Sequence, residues 1–100
     1  MYAALTVRKL KPGTYDDWRK AWEPEEWPDF VTKAYVLRNI NDPDEVIAFG
    51  FTERSPDEFG SDPAMQGDQN ARSERMAPYV ESTGADGFYE VVDIVEPART

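Results

Sequence analysis

The sequence predicts a single α+β domain with the element order βαββαβ. A chain of 100 residues is long enough for one compact domain, which buries about two thirds of its unfolded surface. Side chains alternate in four strand-like segments, which are Tyr2–Leu10, Thr32–Ile40, Glu45–Glu53 and Phe88–Val95. Because all four carry apolar side chains on both faces, we expect an antiparallel sheet with its helices on one face and a second copy of the chain on the other.

The first helix is predicted between Thr14 and Pro24. Gly13 ends the first strand, and Thr14 followed by Asp17 is typical of a capping box at a helix start. Pro24 ends the helix, because an interior proline loses a backbone hydrogen bond and clashes with the preceding turn. Aromatic residues at helical spacing form the buried stripe, and these are Tyr15, Trp18 and Trp22.

Turn residues and a second pair of helix signals organise the rest of the chain. Residues 41–44 (Asn-Asp-Pro-Asp) predict the turn of a hairpin between the second and third strands. In the third strand bulky side chains alternate with small ones, as expected of a central strand with a close neighbour. Residues 55–60 predict a short helical turn, and a longer helix is predicted from Ser61 to Ser82.

The composition excludes several classes of chemistry. The chain contains no cysteine and no histidine, which excludes disulfides, thiolate nucleophiles, Cys/His zinc sites, histidine-ligated haem and an imidazole base. Its formal net charge of −9 repels phosphate backbones and anionic lipids, so neither nucleic acid nor a membrane is an expected partner. No apolar stretch could cross a bilayer, and we expect a cytoplasmic protein without a metal or other cofactor.

An excess of aromatic and methionine side chains points to a ligand pocket. The predicted pocket residues are Trp18, Trp22, Tyr35, Asn39, Phe51, Met76 and Tyr79. Stacked rings suit a flat substrate, and methionine makes a soft wall. The alternative is that these side chains only fill the core, as aromatic residues at helical spacing usually do.

Polar residues inside the predicted strands need partners. Arg8 and Arg38 could pair with Glu90 or Asp93 across the sheet or a dimer interface. Alternatively, these arginines could act with Tyr35 and Asn39 and donate hydrogen bonds to an enolate or phenolate, the electron-rich form of a substrate that reacts with dioxygen. A buried carboxylate such as Glu90 or Asp93 would then serve as the base.

With these elements in place, the chain resembles the dimeric α+β barrel superfamily and, more loosely, its antibiotic-biosynthesis-monooxygenase-like branch. The motifs are Leu10-Lys11-Pro12-Gly13 before a helix with Trp18, Asn41-Asp42-Pro43-Asp44, Glu53-Arg54-Ser55, and Tyr89-Glu90-Val91-Val92. The resemblance implies a ferredoxin-like sheet that pairs with a second copy, and a pocket between each sheet and its helices. Activities that depend on histidine in that superfamily are not carried over, because this chain has none.

These observations give three functional hypotheses. The first is a homodimer that binds a small hydrophobic or aromatic molecule and acts as a cofactor-independent monooxygenase. The second is a non-catalytic dimeric module or ligand carrier. The third is an isomerase with a carboxylate base, which would turn over its substrate without oxygen.

Overall fold

The chain forms a four-stranded antiparallel sheet with two helices packed on one face, in a computed structural model that describes residues 1–27, 31–57 and 63–98. The strands are β1 (Tyr2–Leu10), β2 (Tyr35–Asn39), β3 (Asp42–Thr52) and β4 (Val80–Glu90), and the helices are α1 (Tyr15–Trp22) and α2 (Pro63–Met76), followed by a 3₁₀ turn (Ala77–Tyr79). The order across the sheet is β2-β3-β1-β4. The predicted α+β class is therefore confirmed.

The two central strands divide the sheet into a helix face and an open face. Along β1, side chains point alternately to one side and the other, and Leu10 and Arg8 lie on the side that meets the helices. Val46 and Ala48 of β3 share that side, because Val46 is paired with Arg8 and Ala48 with Thr6. The buried core lies there, and its members are Leu10, Trp18, Trp22, Val46, Ala48 and Met76.

The first half of the chain follows the sequence prediction closely. β1 has the predicted bounds, and α1 ends before Pro24. Gly13 adopts a positive φ of 73° in the turn between them, a conformation that suits glycine. The predicted capping box is wrong, because the Thr14 hydroxyl donates to the carbonyl oxygen of Lys11 at 2.7 Å and accepts no helix amide.

The hairpin turn lies earlier than predicted. Asn39 is paired with Asp42, so the turn comprises Ile40 and Asn41, and β3 begins at Asp42. The side chains of Asn39 and Asp42 each accept a hydrogen bond from the amide two residues later, at 2.8 and 3.1 Å. These two local hydrogen bonds stabilise the backbone on either side of Ile40 and Asn41, which is the physical reason why the turn forms there. β2 is also shorter than the predicted 32–40.

The last helix and strand differ most from the prediction. α2 ends at Met76 instead of extending to Ser82, since Pro78 lies in a 3₁₀ turn. β4 then runs over Val80–Glu90 and not over 88–95. It pairs along the whole of β1, from Leu10 opposite Val80 to Tyr2 opposite Glu90, and ends where β1 has no further residue to pair with. Residues 91–98 follow without regular structure. The predicted turn at 55–60 begins with helical residues 56 and 57, and its remainder lies outside the described residues.

No helix in the described ranges is long and apolar enough to cross a membrane.

An ion pair between Lys9 and Asp42 joins β1 to the start of β3. The hydrogen bond from Lys9 holds the pKa of the Asp42 carboxyl below its ordinary value, and the amide of Asp44 adds to this effect. The same hydrogen bond raises the pKa of the Lys9 ammonium. Both side chains are partly exposed, so the contribution to stability is small.

This ion pair predicts a pH-dependent difference between the wild type and Asp42→Asn. A depressed carboxyl pKa stabilises the fold above the unfolded pKa of about 3.9, and the stabilisation is lost as the pH falls through the folded pKa. The wild type should therefore have the higher urea midpoint at pH 7, and the two midpoints should converge as the pH falls through the folded pKa of Asp42. Lys9→Met should reduce this difference, because only the hydrogen bond from the Asp44 amide then lowers the pKa of Asp42. A difference of unchanged size in the Lys9→Met background would contradict the assignment.

Candidate functional site

A cavity of about 790 Å³ lies between the helix face of the sheet and α2. It lies where the two central strands, β1 and β3, carry small side chains. Leu10 and Val46 fill the space under Trp18 at one end of the face, whereas Ala4, Ala48 and Gly50 line the cavity at the other. The sheet thus leaves room for a ligand where it lacks large side chains.

Aromatic and methionine side chains form the apolar walls of the cavity. Trp22 closes the end of α1, and Trp27 packs edge-on against it with 5.8 Å between ring centroids. Met76 from α2 and Phe88 from β4 complete these walls. Such walls suit a flat, largely hydrophobic molecule.

Arg8 supplies a positive charge in the sheet. It lies on β1 opposite Val46 and Thr83, and it lines the cavity. Its Nη1 atom is buried and has no hydrogen-bond partner among the described residues. Burial lowers the pKa of Arg8, and the negative charge of Asp86 partly opposes that effect.

The predicted pairing of Arg8 or Arg38 with Glu90 or Asp93 across the sheet of one chain is wrong, whereas pairing across a dimer interface stays a prediction. Glu90 is paired with Tyr2 at the far end of β1, and Asp93 lies beyond β4. Arg38 instead places its guanidinium 4.7 Å from the ring centroid of Tyr15. Neither acidic residue lines the cavity, whereas Asp86 does.

Arg72 brings a second guanidinium to the cavity from α2. Its Nε donates to the carbonyl oxygen of Trp22 at 2.8 Å, and its guanidinium lies 5.6 Å from the centroid of the Trp22 ring. Arg75, one residue before the end of α2, donates from Nη2 to the carbonyl oxygen of Glu23 at 3.2 Å. These two arginines satisfy carbonyl groups that the end of α1 leaves free and fix α1 against α2.

The pKa of Arg72 is lowered, chiefly by burial. The positive charges of Arg8 and Arg75 lower it further, whereas the carboxylate of Asp68 opposes the shift. Both Arg8 and Arg72 line the cavity. Two positive charges that line the same partly buried cavity favour a ligand that carries a negative charge.

The structure brings three of the seven predicted pocket residues to the cavity. Trp22 and Met76 form its walls, and Phe51 borders it at the end of β3 although its register position places its ring on the opposite face. Trp18 is fully buried in the core, and Tyr79 packs against that core. The remaining two, Tyr35 and Asn39, belong to β2 and do not line the cavity.

Several polar residues that line the cavity were not predicted for the pocket, and Thr6, Arg72 and Asp86 are among them. Arg72 lies on a helix whose apolar spacing is weak, so its orientation had no clear signal in the sequence. Asp86 lies in a polar segment with two glycines that is typical of a loop. For Thr6 the sequence did contain a signal. Thr6 shares one face of β1 with Ala4 and Arg8, and the bounds of that strand were predicted correctly.

The open face of the sheet, opposite the helices, is a second feature of functional interest. It is formed by Ala3, Leu5, Val7, Tyr35, Leu37, Ile47, Phe49, Phe51 and Tyr89. Tyr35 stacks on Phe49 with 5.0 Å between centroids, while Leu37 and Phe51 remain 46% and 49% exposed. The molecule is only 20 Å thick in its shortest direction, which leaves room for one sheet layer and one helix layer.

No group of three or more acidic side chains in the described part of the chain is arranged to hold a metal ion.

No family model matches the sequence, and no curated protein matches it. Two solved structures share its architecture over nearly the whole chain. One is a proposed antibiotic biosynthesis monooxygenase from Chloroflexus aurantiacus, with a TM-score of 0.65, 18% identity, and coverage of 97% of this chain and 96% of that one. The other is an uncharacterised NIPSNAP domain protein from Burkholderia xenovorans, with a TM-score of 0.56, 12% identity, and coverage of 97% and 100%.

The chain has a ferredoxin-like fold. The strand order and the two helices on one face agree with this fold, and the predicted likeness to the antibiotic-biosynthesis-monooxygenase-like branch is confirmed at the level of architecture. Ferredoxin-like proteins have many functions, so the function must be argued from the cavity itself.

Proposed function

We propose that this protein is a homodimer that binds a small, flat, largely hydrophobic molecule in the cavity and oxidises it as a cofactor-independent monooxygenase. The observation that carries the proposal is the 790 Å³ cavity, with tryptophan and methionine in its walls and arginine guanidiniums beside them. The fold likeness to a proposed antibiotic biosynthesis monooxygenase supports the same reading.

The residues of the cavity suit a reaction that begins with loss of a proton. Asp86 is the acceptor in this proposal, because it lines the cavity beside Arg8. The guanidiniums stabilise the enolate that forms, and their benefit grows as negative charge develops on the substrate oxygen. Dioxygen is the oxidant: a CH₂ carbon of the substrate becomes C=O, and the second oxygen atom leaves as water with the two hydrogens.

The homodimer is supported by the open face. The helices cover only one face of the sheet, so the apolar side chains of the open face stay exposed. A contiguous exposed apolar surface of this kind marks an interaction site. A second copy presents the same apolar surface, so the two sheets complement each other in composition about a two-fold axis.

A cavity-filling variant tests where the ligand binds. Ser73 is exposed on α2 and lines the cavity, so the ring of Ser73→Phe should occupy the ligand space without disturbing the core. We expect the variant to lose the thermal stabilisation that planar compounds such as anthrone give the wild type, with affinity reduced at least about tenfold. Oxygen uptake with an oxidisable compound should fall in parallel.

Ala71→Phe is the matched control, because Ala71 is exposed on the same helix and does not line the cavity. Equal effects of the two variants would contradict binding in the cavity. Stabilisation by ligands without oxygen uptake would favour the ligand carrier, and turnover under anaerobic conditions would favour an isomerase.

A further inference from the structure

We propose that Arg8 and Arg72 form an oxyanion-binding pair, and that the ligand is a flat aromatic molecule that carries its negative charge on an oxygen atom. This inference rests on the proposed function and specifies the ligand class of the same cavity. The shared chemistry is an anionic oxygen on a planar apolar body, as in an aromatic carboxylate or a phenolate.

The first argument is the unused donor of Arg8. A buried guanidinium nitrogen without a partner costs free energy, so native proteins rarely contain one. The Nη1 of Arg8 is such an atom within the described residues, and Arg8 lines the cavity. A ligand oxygen would satisfy this donor with a charge-assisted hydrogen bond.

The second argument is that neither guanidinium forms an ion pair with a described residue. None of the ion pairs formed within residues 1–27, 31–57 and 63–98 includes Arg8 or Arg72. Asp68 and Asp86 influence the two guanidiniums through their charges, but neither comes within the 4 Å of an ion pair. The positive charge of the pair is therefore available to a ligand.

The third argument is the position of the two charges relative to the apolar walls. The Arg72 guanidinium lies 5.6 Å from the centre of the Trp22 ring and is oriented by its bond to the Trp22 carbonyl. A ring that packs beside Trp22 therefore has its polar edge near Arg72. Glu25 and Glu26 also line the cavity, but both are exposed, so water screens them more than it screens the half-buried arginines.

Matched ligands that differ in charge test the proposal. We expect 2-naphthoate to bind at least about tenfold more tightly than naphthalene-2-carboxamide, which has the same shape and no charge. In Arg8→Met this preference should disappear while the affinity for the amide stays unchanged, and Arg72→Gln should reduce the preference. Quenching of tryptophan fluorescence reports binding, because Trp22 and Trp27 line the cavity.

A phenol provides the second arm. The absorbance of 4-nitro-1-naphthol reports its ionisation, and we expect the wild type to lower the bound phenol's pKa whereas Arg8→Met does not. A preference confined to naphthoate identifies the ligand as a carboxylate, and one confined to the naphthol identifies it as a phenolate. Arg38→Gln is the control, since Arg38 lies on the same sheet side but outside the cavity.

The stability of the ligand-free variant separates a binding role from a structural one. Arg8→Met removes an unpaired buried donor, so its thermal midpoint should stay unchanged or rise by up to about 5 °C. A fall of the thermal midpoint by about 5 °C would mean that Arg8 supports the fold, and this result would overturn the proposal. Equal binding of the charged and neutral ligands would overturn the oxyanion pair alone, whereas failure of every naphthalene to bind would overturn the proposed function with it.

Discussion

Replacement of Trp18 by alanine is expected to lower the free energy of unfolding by about 3–5 kcal/mol. Trp18 is 0% exposed, and it packs between Tyr15 and Trp22 with ring centroids 5.9 and 6.2 Å away. The alanine variant loses this burial and leaves a void that the surrounding strands can close only in part. Urea unfolding followed by far-ultraviolet circular dichroism, at one fixed protein concentration, measures the loss.

Two further variants show whether the loss comes from packing. Trp18→Phe should cost less than the alanine variant, because the indole Nε1 has no hydrogen-bond partner in the described part of the protein and only volume is lost. Trp27→Ala deletes the same side chain at a position that is 39% exposed, so it should cost much less. Equal losses at Trp18 and Trp27 would contradict the placement of Trp18 in the core.

The second large effect is expected at the open face. Leu37→Glu should convert the proposed homodimer to a monomer by weakening association at least about a hundredfold, because a carboxylate would lose its hydration inside an apolar interface. Leu37 lies on this face opposite Ile47 and is 46% exposed, so the monomer itself should tolerate the change. Sedimentation velocity at micromolar concentration measures the shift.

Ile40→Glu provides the matched control, because Ile40 is 96% exposed in the turn between β2 and β3. The same change of side chain there should leave the dimer intact. A wild-type protein that sediments as a monomer at micromolar concentration would contradict the homodimer directly.

The parts of the fold that the sequence predicted well are those with strong local signals. β1 is a continuous run with apolar side chains on both faces, and α1 is bounded by Gly13 and Pro24. β4 was misplaced because its polar residues and two glycines are typical of a loop, whereas the apolar residues after Glu90 are typical of a strand. Long-range pairing with β1, which no local pattern contains, determines where β4 lies.

The candidate site was predictable only in part for a related reason. Trp18 and Trp22 lie one turn apart on the same face of α1, and both belong to the core. Nothing in the sequence shows that Trp22 also borders the cavity whereas Trp18 does not. Arg8 was recognised as a polar residue in a covered strand, but its neighbours depend on the register of β4. Its relation to Arg72 depends on the packing of α2 against the sheet.

The position of β1 between β3 and β4 has a kinetic consequence. β1 pairs on one edge with β3, and the segment between these two strands contains α1 and β2. On its other edge β1 pairs with β4, which lies almost eighty residues later in the sequence. Closing so long a loop costs entropy before any contact repays it, so folding should be slow for a domain of this size. During synthesis on the ribosome, the free edge of β1 remains without its partner until β4 emerges, and this interval is when the nascent chain is most prone to aggregate.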